Sequence, residues 1–386
     1  MKKSFEEVFI DKTRYGTKIK TDEYCKSGKH IIVDQSQNAI AGFTDLDSGL
    51  FTDVPAIIFG DHTRIIKYVD EPFFLGADGT KILRSNICNA NYKYLYYALK
   101  NARIPNTGYN RHFKWLKEIE IQYPDEKTQD SIVSLLDKVL YVINLRKDEL
   151  QKLDDLIKAR FVEMFGDPVI NSRGWSKSLI GDYCFVTKLA GFEYTQYINY
   201  DDSGDVVMVK AQNVKNGKLN RKDLSFISNE VSDSLPRSQL AQGDIVMTYV
   251  GANIGDVAVI DDKYKYHLAP NVAKIRPNSE IYDSTYFMYM LMLLNAYIVK
   301  NSADTAKAAL GMERIRKLNV FTPPIELQQQ FSAFVAAIDK SKLLSGCRFF
   351  HSWAPANRDN LNHVGVPRRR TKVLRGGRRQ HAHLHH

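Results

Sequence analysis

The 386-residue sequence has few cysteines and no long apolar run. Its four cysteines lie far apart and form no CxxC pair, which argues against a disulfide scaffold or a zinc site and predicts reduced thiols. The longest apolar stretch, 286–299, contains Asn295 and is too short for a membrane span. The N-terminus reaches Glu6 and Glu7 without an apolar signal core. We therefore expect a cytoplasmic protein with no membrane partner.

The sequence also lacks the common catalytic motifs. It has no GxxxxGK[ST] or GxGxxG loop, no HExxH or GxSxG motif, and no Asn-Pro-Pro-Tyr or Asp-Pro-Pro-Tyr sequence of an amino-methyltransferase. These absences predict a chain that is not an enzyme, has no catalytic residues and binds no metal or cofactor itself.

The positive charge is unevenly distributed. The formal net charge is +10, but residues 345–386 hold eight Arg and one Lys against a single acid, whereas residues 1–344 carry 45 basic and 43 acidic side chains. The same tail holds six of the ten histidines and has no apolar periodicity. This composition predicts a disordered or non-native extension, so any evidence for nucleic-acid binding must come from residues 1–344.

Residues 1–344 contain an internal repeat. Segments 27–38 and 203–213 are similar, and further matches follow in the same order at offsets that grow along the chain. A series of ordered matches indicates two copies of one module, with longer loops in the second. The later matches pair Lys81–Arg84 with Lys274–Arg276, Tyr94–Ala102 with Tyr289–Ala296, Gly108 and the basic stretch Asn110-Arg111 with Gly311 and Glu313-Arg314, and Ile119–Tyr123 with Asn319–Thr322.

Each copy has the pattern of a mixed α+β module. Short alternating or apolar runs bounded by Gly, Asp and Asn predict strands, and an aromatic-rich helix follows them. Modules of this length can bury their own cores. The predicted strands include Ala56–Phe59, Ile65–Val69, Asp244–Tyr249 and Asp256–Ile260.

A long helix is predicted between the modules. Asp125–Phe165 has no Gly or Pro, and its apolar residues follow the alternating four-and-three spacing of a coiled coil. At 1.5 Å per residue such a helix would be about 60 Å long, a rigid spacer with one apolar face. The residues predicted to pack on this face are Ile132, Leu136, Val139, Ile143, Leu150, Leu153 and Ile157.

A second helix of the same kind begins after Pro323-Pro324, with Phe331, Val335 and Ile338 on one face. Its apolar pattern stops near Leu344, so we predict a truncated helix. The fold class is thus α+β, with two repeated mixed α/β globular modules separated by long coiled-coil-type helices. The predicted domains are module 1 (1–124), the central helix (125–166), module 2 (167–324), the start of the second helix (325–344) and the tail (345–386).

This order of parts resembles the specificity subunit of type I restriction-modification systems. The resemblance covers about residues 1–344, and its motifs include Pro-x-x-x-x-Gln at the start of each long helix, Phe165-Gly-Asp-Pro at the end of the first, and Gly243-Asp-Ile-Val followed by Gly251-Ala-Asn-Ile-Gly. The first copy has Gly60–Arg64 and Gly76–Thr80 in the corresponding places. The truncated second helix and the tail depart from the family pattern.

The resemblance implies a non-catalytic DNA reader. Each module would be a target recognition domain for one half of a bipartite double-stranded DNA site, and the helices would dock the modification (methyltransferase) subunits. S-adenosylmethionine, ATP and Mg²⁺ are expected on the modification and the restriction (motor-nuclease) subunits, not on this chain. An exposed, incompletely paired spacer helix also predicts a homodimer, which sedimentation of the chain at micromolar concentration would test.

The candidate DNA-binding side chains come from polar stretches that follow the predicted strands. Arg, Lys, Asn and Gln read base edges, and Lys, Arg and Tyr contact phosphates. The candidates are Gln35, Asn38, His62, Arg64, Lys81, Asn106, Asn110 and Arg111 in the first module, and Lys210, Gln212, Asn213, Lys215, Tyr249, Asn253, Asn271, Lys274 and Arg314 in the second.

Two other functions use parts of the same pattern. A stand-alone DNA-binding regulator would have the same modules without partner enzymes and should bind specific DNA tightly by itself. A coiled-coil adaptor would explain the helices but not the duplicated polar loops.

Overall fold

The computed structural model describes residues 1–76, 78–108, 110–302 and 309–353. The chain forms two compact units, Met1–Lys147 and the part that begins at Asp148. The boundary falls inside the long helix that the sequence predicted as a separate spacer. Each end of that helix belongs to the unit beside it.

The first unit combines short strands with the helices that cover them. Its strands are β1 (Lys2–Ser4), β2 (Phe9–Asp11), β3 (His30–Val33), β4 (Gly42–Thr44), β5 (Ala56–Gly60), β6 (Ile66–Val69), β7 (Phe73–Leu75), β8 (Thr80–Ser85) and β9 (Glu120–Gln122). Its helices are α1 (Phe5–Val8), α2 (Tyr92–Lys100), α3 (Phe113–Lys117) and the first half of α4 (Glu126–Phe165).

The strands of this unit form separate small sheets. One has the order β2-β8-β5-β6, another β4-β3-β7, and β1 pairs with β9. All residues of β5 are buried, since this central strand has one sheet neighbour on each side and apolar side chains on both faces. The core residues Phe5, Phe59, Leu83, Leu95 and Leu116 join α1, α2 and α3 to the four-stranded sheet.

The second unit has a larger set of strands and helices, besides the end of α4. Its strands are β10 (Lys177–Leu179), β11 (Cys184–Lys188), β12 (Val206–Val209), β13 (Val214–Lys215), β14 (Lys218–Leu219), β15 (Ser225–Ile227), β16 (Gln239–Leu240), β17 (Ile245–Thr248), β18 (Val257–Val259), β19 (Lys265–Leu268), β20 (Val272–Pro277) and β21 (Asn319–Phe321). Its helices are α5 (Ile180–Tyr183), α6 (Gly191–Tyr197), α7 (Asn229–Ser234), α8 (Ser284–Leu293), α9 (Asn295–Ser302), α10 (Met312–Arg316) and α11 (Ile325–Trp353).

The sheets of the two units have the same topology, which confirms the repeat. The order β11-β20-β17-β18 reproduces β2-β8-β5-β6, the order β15-β12-β19 reproduces β4-β3-β7, and β10 pairs with β21 as β1 does with β9. The pairing of β3 with β7 is parallel, and so is the equivalent pairing of β12 with β19. The additions in the second unit are α6, α7, α9 and the strands β13, β14 and β16, where the sequence predicted longer loops.

The register of the repeat corrects two predicted matches. The offset from β9 to β21 equals the offset from α3 to α10, so the match of Gly108 and Arg111 to Gly311 and Arg314 is wrong. Gly311 corresponds to His112, and Arg111 corresponds to Leu310. The helices α2 and α8 begin at Tyr92 and Ser284 after equivalent caps, because Asn91 accepts a hydrogen bond from the Tyr94 amide and Asp283 accepts from Tyr286. Tyr94 therefore corresponds to Tyr286.

The central helix is confirmed at almost its predicted ends. Asp125 precedes α4 and accepts hydrogen bonds from the amide and hydroxyl of Thr128, and these bonds lower the pKa of its carboxyl. Gly166, at a φ of +81°, follows the last residue of the helix.

The second long helix is longer than predicted. Its apolar pattern ends near Leu344, but the backbone of α11 continues to Trp353. Apolar spacing predicts which helix face packs, whereas continuation of the backbone needs only residues that tolerate a helix, and Pro355 is the first proline after Pro324. The predicted tail from 354 onward lies outside the described residues.

Candidate nucleic-acid interface

Four loops of the first unit meet beyond the ends of its strands. We call them loop cluster 1: residues 35–38 after β3, 61–65 between β5 and β6, 78–79 between β7 and β8, and 106–108 with 110–112 before α3. Gln35 connects three of them, because its side-chain amide donates to the Asp78 carbonyl at 2.7 Å and its side-chain oxygen accepts from the His62 amide at 3.1 Å. The Thr63 hydroxyl donates to the Gln35 carbonyl.

The fourth loop is fixed to the others through Asp61. The buried Asp61 accepts hydrogen bonds at its carbonyl from the His112 amide (2.8 Å) and at its carboxylate from the Phe113 amide (2.7 Å). The ring nitrogen Nδ1 of the buried His112 lies 2.9 Å from the same carbonyl. These bonds hold residues 106–108 and 110–111 beside the turn between β5 and β6.

The predicted DNA-binding residues of this unit fall into two groups. Gln35, His62, Arg64 and Lys81 are half-buried. Besides the bonds of Gln35, the Arg64 guanidinium donates to the Ile104 carbonyl and the Lys81 ammonium donates to Asp11. The contacts of Gln35 and Arg64 hold the loops in place, whereas the contact of Lys81 links β8 to β2. The exposed group consists of Asn38, Asn106, Asn110 and Arg111.

The exposed asparagines of the last loop also stabilise its turn. The Asn106 side-chain oxygen accepts from the Gly108 amide at 3.2 Å, and the Asn110 side chain donates to the Thr107 carbonyl. The Arg111 side chain is exposed beside Asp78, whose pKa is lowered by its hydrogen bond and charge contact with Lys18 and, to a smaller extent, by Arg111. This arrangement presents amide and cationic groups at one surface, the combination that contacts bases and phosphates.

The second unit has a corresponding set of loops, loop cluster 2: residues 210–215 after β12, 249–256 between β17 and β18, 269–271 between β19 and β20, and 309–311 before α10. The Tyr249 amide donates to the Asn271 carbonyl at 3.0 Å, and the Leu310 amide donates to the Tyr249 carbonyl at 2.8 Å. Residues 303–308, which precede the last loop, lie outside the described residues.

The candidates of the second unit also divide by exposure. Gln212, Lys215, Asn253 and Asn271 are exposed on loop cluster 2. Three others have internal roles: the Asn213 side chain is buried and donates to the Asn220 carbonyl, the Lys210 ammonium donates to the Ser225 hydroxyl, and Tyr249 is half-buried. Arg314 is exposed, but it lies on α10 and not in a loop of the cluster.

Lys274 is an interior residue, contrary to its selection as a surface contact. Only 2% of the residue is exposed, and its ammonium donates to the carbonyls of Arg237 (2.6 Å) and Gln239 (2.8 Å). Burial lowers its pKa to about 8, and the nearby Arg276 guanidinium acts in the same direction. Lys274 therefore ties β20 to the start of β16 and to the turn before it.

Two lysines that contact residues of the clusters were not among the predicted residues. The exposed Lys188, at the end of β11, lies 5.3 Å from the centre of the Tyr249 ring. Lys18 forms an ion pair with Asp78 at 2.6 Å. No sequence motif marks either residue, because their positions depend on the pairing of β11 with β20 and on the path of the chain before β3.

The long helices have both buried and exposed apolar residues. On α4, Ile132 and Leu136 are half-buried and Ile157 is fully buried, whereas Val139 and Ile143, which were predicted to pack, are 37% and 40% exposed. Leu150, Leu153 and Ile338 are half-buried, and Phe331 and Val335 are buried. The middle of α4 thus presents an apolar surface to solvent, and its most exposed members are Leu135 (62%), Tyr141 (65%) and Leu145.

The described residues include no cluster of three or more His, Cys, Asp and Glu side chains that could hold a metal ion. Within the same ranges, no helix has both the length and the apolar character needed to cross a membrane.

The fold and its loop clusters define a class of duplicated two-module proteins with a long connecting helix. A family model described as the type I restriction modification DNA specificity domain matches residues 2–155 and 172–345. The chain therefore belongs to this family.

The chain is similar to several proteins of known kind. It is 21% identical over 290 residues to the type I restriction enzyme EcoBI specificity subunit of Escherichia coli, over 65% of this chain and 60% of that protein. It is 25% identical over 289 residues to the MjaVIII specificity subunit of Methanocaldococcus jannaschii, over 67% of this chain and 66% of that one. The chain thus spans less than two thirds of the length of these curated relatives.

One solved structure supports the fold. The type I restriction-modification S subunit from M. genitalium aligns over 90% of this chain and 91% of its own, with a TM-score of 0.52 and 16% sequence identity.

Proposed function

We propose that this chain is the DNA-reading subunit of a type I restriction-modification complex, in which each unit binds one half of a bipartite double-stranded DNA site. The observation that carries this proposal is that two units with the same order of strands in their shared sheets each gather polar loops at the same strand ends. Family membership supports a DNA ligand, and the exposed Asn, Gln, Lys and Arg side chains of both clusters are the types that contact bases and phosphates.

The partners in this proposal are the modification and restriction subunits. The apolar surface in the middle of α4 offers a docking site for modification subunits, or for a second copy of the chain in a homodimer. In this assignment the chain is not an enzyme. S-adenosylmethionine, ATP and Mg²⁺ act on the partner subunits, which carry out adenine methylation and DNA cleavage.

Adenine methylation provides the direct test. The chain is co-expressed with a cognate modification subunit, the complex is purified, and methylated adenines are mapped by sequencing DNA exposed to the complex. We expect one split motif of two short half-sites separated by a fixed gap. A complex that assembles but methylates no defined motif contradicts the proposal. Tight, specific DNA binding by the chain alone, with no assembly, would favour the stand-alone regulator.

Replacing Arg111 by alanine is expected to weaken DNA binding by the complex equally for all sequences. If the exposed guanidinium meets a phosphate, its loss reduces the slope of log K against log salt concentration by about one unit. Fluorescence anisotropy of labelled duplexes at several salt concentrations measures this. A loss of discrimination at one base pair, with an unchanged salt slope, would instead identify Arg111 as a base contact.

Lys274→Ala is the matched control for Arg111→Ala, because Lys274 is a cationic candidate that lies in the interior. The carbonyls of Arg237 and Gln239 lose their hydrogen-bond donor. We therefore expect the free energy of unfolding to fall by roughly 1–3 kcal/mol. DNA affinity per folded molecule and the salt slope should not change. A reduced salt slope in a folded Lys274→Ala protein would show that this lysine reaches DNA after all.

A further inference from the structure

The two units have equivalent grooves beside the first turns of their long helices. In the first unit the Tyr94 hydroxyl on α2 donates to the carbonyl of Gln122, the last residue of β9. In the second unit the Tyr286 hydroxyl on α8 donates to the carbonyl of Phe321, the last residue of β21. In both units a buried glutamine of the long helix donates to the carbonyl of a proline five positions earlier, Gln129 to Pro124 and Gln328 to Pro323. Counted from these glutamines, Ile132 and Phe331 occupy equivalent positions.

In the second unit this groove is filled by the end of α4. Phe161 stacks on Tyr286 with ring centres 5.5 Å apart and meets Phe331 edge-on at 5.4 Å. Phe165 lies 4.6 Å from Tyr286 and 5.7 Å from Phe331. Together with the fully buried Ile157, these side chains form an apolar stripe with one large residue every four positions along the helix.

Among the described residues, no side chain fills the equivalent groove of the first unit. It has a volume of about 790 Å³. Tyr94, Tyr97 and Ile132 occupy the places that Tyr286, Tyr289 and Phe331 hold in the second unit, and Ala98 and Leu136 complete the apolar lining. Lys100 and Arg103 add two cations to its wall, against one acid, Glu120, which is paired with Lys2.

The chain does not repeat the aromatic stripe that fills the groove of the second unit. At the offset that relates Ile132 to Phe331, the stripe residues Ile157, Phe161 and Phe165 correspond to Ala356, Asn360 and Val364, positions that lie outside the described residues. A second copy of the chain has its own Ile157, Phe161 and Phe165 buried in its second unit. Neither this stripe nor its equivalent in a second copy is therefore free to fill the groove of the first unit, which favours an apolar stripe on another polypeptide.

We propose that the groove lined by Tyr94, Tyr97, Ala98, Ile132 and Leu136 binds an amphipathic helix of a separate protein chain. That helix carries large apolar or aromatic side chains at positions i, i+4 and i+8. It carries carboxylates beside this stripe, where Lys100 and Arg103 meet them. The binding mode is that of a helix in an apolar groove, with aromatic side chains as the anchors. This inference does not depend on DNA binding.

A synthetic peptide with the sequence of residues 150–168 serves as the probe, since it contains the stripe of Ile157, Phe161 and Phe165. Its binding to the full chain is followed by fluorescence anisotropy of an attached dye. We expect saturable binding by the chain. Replacing both phenylalanines of the peptide by alanine should weaken binding about tenfold or more, because the aromatic anchors are lost.

Two variants of the chain locate the site. Leu136→Asp places a charge in the groove and should weaken peptide binding about tenfold or more, whereas Leu135→Asp, on the exposed side of the same helix turn, should not. Ala98→Trp fills the groove without adding charge and should also block the peptide. Far-UV circular dichroism establishes that each variant is folded.

Three results overturn the inference. One is the absence of saturable binding. Another is binding that Leu136→Asp and Ala98→Trp leave unchanged. The last is binding that Leu135→Asp abolishes, which would place the peptide on the exposed face of α4. Each of these results is independent of the methylation experiment, so failure of the groove and failure of the DNA-reading function are distinguishable.

Discussion

Replacing Phe161 by alanine is expected to destabilise the second unit by about 3–5 kcal/mol, the usual cost of removing a buried aromatic ring. Phe161 is 1% exposed and is in ring contact with Phe165, Tyr286 and Phe331. Its loss leaves a cavity at the place where α4, α8 and α11 meet. Because the chain has two units, a single melting curve does not assign the loss, so we would follow hydrogen exchange by mass spectrometry.

The exchange experiment has internal controls. Amides of β20 and α8 should exchange faster in Phe161→Ala, whereas amides of β5 and β8 in the first unit should not change. The neighbouring Val162 is 45% exposed, and Val162→Ala should alter stability by no more than about 0.5 kcal/mol. Equal effects of the two variants would show that the end of α4 is not packed as described.

Replacing Gln328 by alanine is expected to lower the free energy of unfolding by about 3 kcal/mol, since one buried and two partly buried backbone groups lose a hydrogen-bond partner. Its side-chain amide donates to the carbonyls of Ile281 (2.9 Å) and Pro323 (2.8 Å), and its side-chain oxygen accepts from the Asp283 amide (2.9 Å). The residue is fully buried. Gln328 thereby joins the start of α11 to the cap of α8, and urea unfolding with exchange in α8 would measure its contribution.

The sequence supplies a graded set of controls for this prediction. Gln329 is the next residue of the same helix and is exposed, so Gln329→Ala should be nearly neutral. Gln129 is the equivalent residue of α4, with one hydrogen bond to the Pro124 carbonyl at 2.9 Å, and Gln129→Ala should cost about 1 kcal/mol in the first unit. A neutral Gln328→Ala would mean that these backbone groups find other partners.

The hydrophobic pattern of the sequence correctly predicted the strand β5 and the helix α4. The fully apolar run at Ala56 identifies β5, and the absence of Gly and Pro from Asp125 to Phe165 identifies α4. The repeat was detectable because β3 and β12 have similar sequences and lie at corresponding places in the two modules. The match of Arg111 to Arg314 was wrong, because inserted loops move the offset and only strand pairing establishes the true register.

The sequence predicted which loops form the candidate interface better than it predicted which individual side chains are exposed there. Polar residues after strands marked loops that the structure brings together in each unit. Asn213 follows this pattern, but its side chain turns inward onto the nearby Asn220 carbonyl. Lys274 lies within β20, and its side chain turns inward onto the carbonyls of Arg237 and Gln239, which are distant in sequence. The coiled-coil spacing of α4 likewise identified its apolar face, yet it could not distinguish Ile157, buried in a unit, from the exposed Ile143.

The pairing of β1 with β9, and of β10 with β21, makes the first and last strands of each module direct neighbours. The chain therefore enters and leaves a module at neighbouring strands. Insertions between these two strands do not change the position at which the chain leaves the module. The offset between corresponding elements is larger at β9 and β21 than at α1 and α5, and the extra length is accommodated inside the second module. A recombination event with one crossover at each paired strand would exchange a whole module as a cassette and leave the attachment of its helix intact.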